Sequence, residues 1–252
     1  MSTENTIYYL TLEDLNNDDI LFNHIYPNTK NNYFFSDDFS KDFYIKLAYS
    51  GFISTSLLEE NQLYLLPEIQ YEYAILDFKD LHISTKVKKL LNKTSNYDFI
   101  INTKLDLVLD KIETYHKPSW LIREYKELIK DLFTYKHPTI DFKIMCIELN
   151  DKITGELIAG EIGYKIGSLY TSLTGFRSNE KKYDNWGTLQ LVLLSKYLEK
   201  EKYSFWNLGH PYMKYKFDLG AKQYSREDFL NRWYKVLDEE YINNESILEY
   251  KI

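Results

Sequence analysis

Residues 155–178 read GELIAGEIGYKIGSLYTSLTGFRS, and residues 205–229 read FWNLGHPYMKYKFDLGAKQYSREDF. Apolar and small residues alternate with glycine over 156–164 and 167–173, which predicts two antiparallel strands turned at Lys165-Ile166-Gly167. An amphipathic helix is expected over Leu189–Lys200. A short apolar strand, Phe205–Leu208, follows and runs into Asn-Leu-Gly-His. A helix over Met213–Leu219 closes on Leu219-Gly220-Ala221, and residues from Phe229 to Val236 lie near the end of the fold.

Working outward, residues 142–149 form a third strand of the same meander, turned at Asn150-Asp151. Leu121–Tyr135 reads as a helix, and so does Leu105–Thr114, with Leu105, Val108, Leu109 and Ile112 on one face. Tyr97–Ile101 is a short strand. Ser84 caps a helix carrying Lys86, Lys88, Lys89 and Lys93. Tyr73–Phe78 opens this unit. Upstream, Tyr33–Phe35 is a strand, and Ser36–Ser40 starts a helix that turns Phe43, Tyr44 and Leu47 inward and ends at Gly51. Residues 52–56 and 63–66 pair as a hairpin around Glu59-Glu60-Asn61. Strands and helices interleaved around an antiparallel meander give an α+β class. Three regions are expected: a small N-terminal domain over 1–72, a second domain over 73–236, and a tail over 237–252.

Composition narrows the function. A net charge of −7 over 252 residues gives no global signal for nucleic acid, so any such contact needs a local basic patch. Tyr is abundant at 24 residues, so many rings must be partly exposed. Coding bias in an AT-rich genome explains that load as well as a binding role does. The single cysteine, Cys146, excludes an internal disulfide and a multi-cysteine metal site, and its apolar neighbours predict a buried, inert thiol. The start lacks a basic segment followed by an apolar core, and no apolar run reaches membrane-span length, so a cytoplasmic protein with no membrane contact is expected.

Several segments in order carry a resemblance. They are Phe35–Ser40 with Leu47–Phe52, Leu81-His82-Ile83-Ser84 before the basic helix, Ser119-Trp120-Leu121, Gly155–Ser178, and Leu219-Gly220-Ala221 through Phe229. Together, over roughly residues 33–233, they resemble the leucyl/phenylalanyl-tRNA–protein transferases, a branch of the GNAT-like acyltransferases. The resemblance implies a mixed, largely antiparallel sheet flanked by helices, with a small N-terminal α/β domain. It implies transfer of an amino acid from tRNA to the N-terminal amine of an acceptor protein, an N-degron tagging reaction. Aminoacyl-tRNA is then the co-substrate, no other cofactor or metal is expected, and a monomer suffices.

The resemblance also assigns residues. Lys86, Lys88, Lys89 and Lys93 correspond to the helix that holds phosphates near the tRNA 3′ end; a solvated helix face is the bland alternative. Trp120 matches the Trp where the terminal adenosine enters, though a core anchor fits equally well. Tyr170 matches an aromatic position lining the amino-acid pocket and Phe176 another aromatic position, and Leu173 and Gly175 are assigned to substrate binding with them. Alternation along Leu169–Leu173 places Tyr170 and Ser172 on one face.

Two places depart from the family. Glu161 lies in an apolar strand where the family has an apolar residue, and Leu173 stands where the family has a Glu. A buried Glu161 could take over that carboxylate's role from the neighbouring strand; an outward-facing Glu at a sheet edge is the alternative. The family's Asp-x-Gln after the short strand is also missing. Asn207 is the candidate donor to a developing oxyanion there, and His210 the candidate proton acceptor. Two other functions remain open: an acyl-CoA-dependent N-acetyltransferase, and a non-catalytic module that binds tRNA or protein N-termini. The turn Arg177–Gly187 has one glycine and no Gly-x-Gly pattern, which argues against a CoA pyrophosphate site.

Overall fold

The computed structural model describes residues 7–237; the expected tail beyond residue 237 lies outside them. In chain order the first elements are β1 (Tyr8–Tyr9), α1 (Leu12–Leu15), a π-helical turn (Ile20–Ile25), β2 (Phe34–Phe35), α2 (Lys41–Tyr49), β3 (Ile53–Glu59), β4 (Gln62–Glu68) and β5 (Glu72–Leu76). Next come α3 (Thr85–Leu91), β6 (Tyr97–Ile101), α4 (Leu105–Tyr115), α5 (Arg123–Thr134), β7 (Phe142–Asp151), β8 (Leu157–Ile166) and β9 (Leu169–Arg177). The last are α6 (Trp186–Lys200), β10 (Phe205–Asn207), α7 (Lys214–Asp218), β11 (Lys222–Ser225) and α8 (Arg226–Leu237). The chain folds into two units. Among the described residues, one takes 7–73, Trp120–Phe142 and 224–237; the other takes Ala74–Ser119 and Lys143–Gln223. The expected boundary near residue 73 is therefore one of four crossings.

In the first unit the hairpin β3–β4 is longer than its sequence suggests. Glu59 pairs with Gln62, leaving a two-residue loop in which Glu60 and Asn61 both take positive φ. That is the backbone twist that two-residue hairpins favour. Ser40 caps α2 by accepting from Phe43 N, and α2 buries Phe43, Tyr44, Ile45, Leu47 and Ala48. Helix α5 starts two residues later than the pattern indicates and buries Tyr125, Leu128, Ile129 and Leu132, an i, i+3, i+4, i+7 stripe. Tyr125 and Tyr44 meet edge to face and share a hydroxyl–hydroxyl hydrogen bond of 2.8 Å.

The second unit is built on the seven-stranded sheet, in the order β11-β5-β10-β9-β8-β7-β6. Strands β9 and β10 run parallel, while β5–β10, β8–β9 and β6–β7 are antiparallel. This is the expected mixed, largely antiparallel sheet of an α+β fold, flanked by helices. Helix α4 buries the four residues its periodicity predicts, Leu105, Val108, Leu109 and Ile112. Its N-terminus lacks a capping side chain of its own. Glu148 on β7 supplies one, accepting from Thr103 N (2.9 Å) and Lys104 N (2.8 Å). Cys146, two residues away, is fully buried, and burial pushes its thiol well above the usual range, as expected for an inert group.

Helix α6 begins three residues earlier than expected, directly after Asn185 in the left-handed region. Helix α7 is shorter than expected and ends before Gly220, whose φ is +108°. A Cβ at Gly220 would lie 2.1 Å from Asp80 O, so the chain can pass there only as glycine.

Candidate active site at the divergence of β9 and β10

Strand β10 pairs with β9 only from Phe205↔Leu169 to Asn207↔Thr171. Strand β9 continues to Arg177, so past Thr171 no strand lies beside it on that side among the described residues. Of the predicted site residues, Tyr170, Leu173, Gly175 and Phe176 lie on β9, and Glu161 lies beside them on β8. Strand β9 is also longer than the predicted 167–173, which brings Gly175 and Phe176 into the strand.

The β8–β9 register contains an irregularity. Gly163 pairs with Ser172 but Ile162 pairs with Thr174, so Leu173 is an extra residue, a β-bulge. The bulge resets the alternation of side chains. Gly160, opposite Phe176, faces Val108 of α4: a Cβ there would be 3.0 Å from Phe176 Cε1 and 3.5 Å from Val108 Cγ2. Glu161 therefore points the other way, towards α6. The simple alternation expected along β9 ends at Leu173.

On the α6 face Glu161 is 4% exposed and lies inside the sheet, not at an edge. Its Oε1 accepts from Tyr170 Oη (2.9 Å) and Ser172 Oγ (2.8 Å), and its Oε2 accepts from Gln190 Nε2 (3.2 Å). Trp206 Nε1 donates to the same Ser172 hydroxyl at 2.8 Å. Gly163 makes this possible: a Cβ there would be 2.3 Å from Tyr170 Oη, so only glycine lets the tyrosine reach across β8. Burial raises the Glu161 carboxyl above its ordinary range, and the three donors and Lys216 oppose that rise.

Lys216 on α7 was not singled out by its sequence context. It is 5% exposed. Its Nζ donates to Leu208 O and, at 2.6 Å, to His210 O, holding the turn that leaves β10. Burial lowers its pKa to about 8 even though Glu161 favours the charged form. Tyr215 beside it is 44% exposed, yet burial of its hydroxyl and the Glu161 charge raise its pKa to about 12. A polar residue interrupting the apolar run Leu189–Leu194 was a readable signal for Gln190. Lys216 was hidden because Lys214, two residues away, looks the same and is exposed, pairing with Asp218 at 2.6 Å.

The remaining candidates separate. Asn207 is fully buried, and its carboxamide is engaged: Oδ1 accepts from Gly209 N (2.9 Å) and Nδ2 lies 3.4 Å from Thr171 Oγ1. As the neighbour of Trp206 on a strand, it points away from Glu161. His210 is half-buried, and its ring stacks on Tyr212 at 4.9 Å. Tyr170 lies on the Glu161 face, whereas Phe176 lies on the α4 face; Leu173 is the bulge between them, and Gly175 pairs with Glu161. His116, at the end of α4, brings Nε2 to 2.8 Å from Gly175 O, a contact the sequence did not flag. Trp120 belongs to the other unit, where it packs edge-on against Tyr125 at 5.1 Å and accepts a hydrogen bond from Ser56.

Lys86, Lys88 and Lys89 lie exposed on α3, whose N-cap Ser84 accepts from Val87 N. Lys93 falls beyond the helix, in the turn after Asn92, and not on the helix face predicted for it. No carboxylate pairs with any of the four among the described residues. No cluster of three metal-ligating side chains occurs, and no helix is long and apolar enough to cross a membrane, among the described residues.

The chain is similar to several solved structures at low identity. L-PGS from Bacillus licheniformis is 12% identical over 67% of this chain and 65% of that one, with a TM-score of 0.39. The C-terminal domain of a putative lysylphosphatidylglycerol synthetase from Agrobacterium fabrum is 14% identical over 66% of this chain and 50% of that one, with a TM-score of 0.36. FemX is 10% identical over 78% of this chain and 70% of that one, with a TM-score of 0.48. The chain thus spans less than two thirds of the first two. No curated protein matches it. Residues 75–234, more than half of the chain, match the family model of leucyl/phenylalanyl-tRNA protein transferase, and the chain belongs to that family.

Proposed function

We propose that this protein transfers an amino acid from tRNA to the N-terminal amine of an acceptor protein. The observation that carries the reading is the family match across the unit that contains the Glu161 cluster and the diverging strands. The neutral amine attacks the ester carbonyl, the tetrahedral adduct collapses, the ester bond breaks, and the ribose oxygen leaves with a proton that originates on the amine. An aminoacyl ester is activated and an α-amino group has a pKa near ~8, so positioning and oxyanion stabilisation can supply most of the rate.

Glu161 is the proposed anchor for an ammonium group. Its Oε1 already accepts two hydrogen bonds, while its Oε2 accepts one and keeps a lone pair for another donor. The cation is either the α-ammonium of the transferred residue or a basic side chain, so Glu161 is also the proposed determinant of which aminoacyl-tRNA is used. Asn207 fixes the turn at Gly209, and the open edge of β9 offers backbone donors to the oxyanion. His210, held through its carbonyl by Lys216, is the proposed acceptor of the amine proton.

The acetyl-CoA alternative is disfavoured by the turn before α6, which contains no glycine. The nearest one, Gly187, is the second residue of α6 and is packed under Arg177, whose Cδ would lie 2.9 Å from an added Cβ. The test incubates the protein with a peptide beginning in Lys or Arg and either charged tRNA or acetyl-CoA. Extended peptide with charged tRNA alone is expected. Product only with acetyl-CoA, or tRNA binding without product, would overturn the reading.

A further inference from the structure

Strands β9 and β10 part after the pair Thr171↔Asn207, so Ser172 and Leu208 are the first residues on either side with no partner across the gap. A buried charge is tethered to each. On the β9 side the Glu161 carboxylate accepts from Ser172 Oγ at 2.8 Å. On the β10 side the Lys216 ammonium donates to Leu208 O and, two residues on, to His210 O at 2.6 Å. No hydrogen bond or ion pair joins the two charges among the described residues, yet each favours the charged form of the other.

Each charge also keeps unused bonding capacity. An ammonium has three N–H donors, and the carbonyls take two of those of Lys216. Glu161 Oε2 accepts from Gln190 alone and keeps a lone pair. Closing a turn through two carbonyls does not call for a cation; a neutral amide donor would do so without the desolvation cost of a buried charge. A spare charged donor suits an oxygen on which negative charge develops. An α-aminoacyl ester brings the matching pair, an ammonium and a carbonyl oxygen on adjacent carbons. A basic side chain held by Glu161 would leave the Lys216 donor unanswered.

We propose that Lys216 is a catalytic residue: its third N–H donates to the ester carbonyl oxygen and to the oxyanion that replaces it, while Glu161 holds the α-ammonium of the same amino acid. The role rests on the aminoacyl-tRNA reading and deepens it, since it selects the α-ammonium as the cation on Glu161. As the acceptor amine forms the C–N bond, the carbonyl π pair moves onto the oxygen beside Lys216. On collapse that pair returns and the bond to the ribose oxygen breaks. Lys216 keeps its three protons throughout, so the proton lost by the amine still passes to the leaving oxygen.

The test measures single-turnover transfer to a peptide beginning in Arg. It uses whichever of Leu-, Phe- and Arg-tRNA the wild type uses fastest, and the same tRNA esterified with that acyl group lacking its α-amine. Lys216→Gln keeps two N–H donors for the turn and removes the charge; it is expected to slow transfer from both esters about a hundredfold. Glu161→Gln is expected to slow only the amino ester. Affinity for a stable 3′-amide analogue of the aminoacyl-tRNA should stay within about threefold of wild type in Lys216→Gln, because the donor acts mainly on the oxyanion. Lys216→Arg keeps the cation and should exceed Lys216→Gln about tenfold or more on both esters. Equal rates for these two variants overturn the role. So does a Lys216→Gln loss that is matched by lost analogue affinity, or one confined to the amino ester. Wild-type protein that transfers from no charged tRNA sinks the transferase reading and this role together; wild-type transfer that Lys216→Gln leaves unchanged sinks the role alone.

Discussion

Two buried charges, one in each unit, are solvated in opposite ways. In the first unit the Arg226 guanidinium is enclosed by backbone carbonyls, donating to Gln70 O (3.0 Å), Ile69 O (2.8 Å), Tyr26 O (3.1 Å) and Asn28 O, with the Tyr71 ring 4.8 Å away. Those carbonyls come from distant parts of the chain, so one side chain ties α8 to the loops at residues 25–28 and 69–70. In the second unit Glu161 is held by three side chains, shares its surroundings with a second buried charge, Lys216, and lies where two strands part. An ion satisfied by backbone is locked into the fold. One satisfied by side chains at an opening can exchange a partner for substrate. The comparison separates a charge fixed by backbone from one held by side chains, and the second is the proposed substrate anchor.

Removing Arg226 gives the largest effect. Arg226→Met leaves several buried carbonyls without donors and is expected to lower stability by about 3–5 kcal/mol in urea denaturation. A loss under ~1 kcal/mol would show that the carbonyls rehydrate freely and would break the comparison.

Glu161→Gln keeps the shape and removes the charge. It is expected to slow single-turnover transfer about a hundredfold, a loss of ~2.7 kcal/mol in the barrier, with stability unchanged or raised because burial disfavours the charge. The assay is run with Leu-, Phe- and Arg-tRNA. Unchanged rates and unchanged selectivity would remove Glu161 from the mechanism.

Lys216 sharpens the comparison through pH. Its folded pKa of about 8 lies below that of an exposed lysine. Between the two values the unfolded chain binds more protons than the folded one, so this group makes stability rise with pH from ~8 towards ~10.4. The gain over that window is on the order of 2 kcal/mol. Lys216→Met should abolish that slope in denaturation series at pH 7.5 and 9.5; an identical slope would place the titrating group elsewhere.

The smallest effect belongs to the exposed lysines. Lys86→Ala with Lys89→Ala is expected to weaken tRNA binding about tenfold at low salt, to flatten its salt dependence by about two counterions, and to leave stability within ~0.5 kcal/mol. Unchanged salt dependence would return α3 to the role of a solvated face.

Much of the fold was legible because it rests on local periodicity. The buried face of α4 and the stripe of α5 follow directly from their spacing, and Ser40 and Ser84 cap the helices they precede. Glu161 was legible for the opposite reason, a charge where the pattern calls for an apolar group. What pairing decides was not legible. The extra residue at Leu173 depends on how β9 aligns with β8, and it sends Tyr170 and Phe176 to opposite faces although their separation of six residues predicts one. Residues 120–142 join a unit whose other parts are remote in sequence. Burial of Lys216 depends on two carbonyls just beyond β10, which no composition or spacing reveals.

The central claim is that this chain forms a peptide bond at a protein N-terminus using an amino acid carried by tRNA. Mass spectrometric sequencing of an acceptor peptide, after incubation with tRNA bearing an isotope-labelled amino acid, tests it most directly. The account predicts one labelled residue joined through an amide to the peptide's α-amine, dependent on both protein and charged tRNA. Label released only as free amino acid, or attached to a lysine side chain with the α-amine untouched, would contradict it.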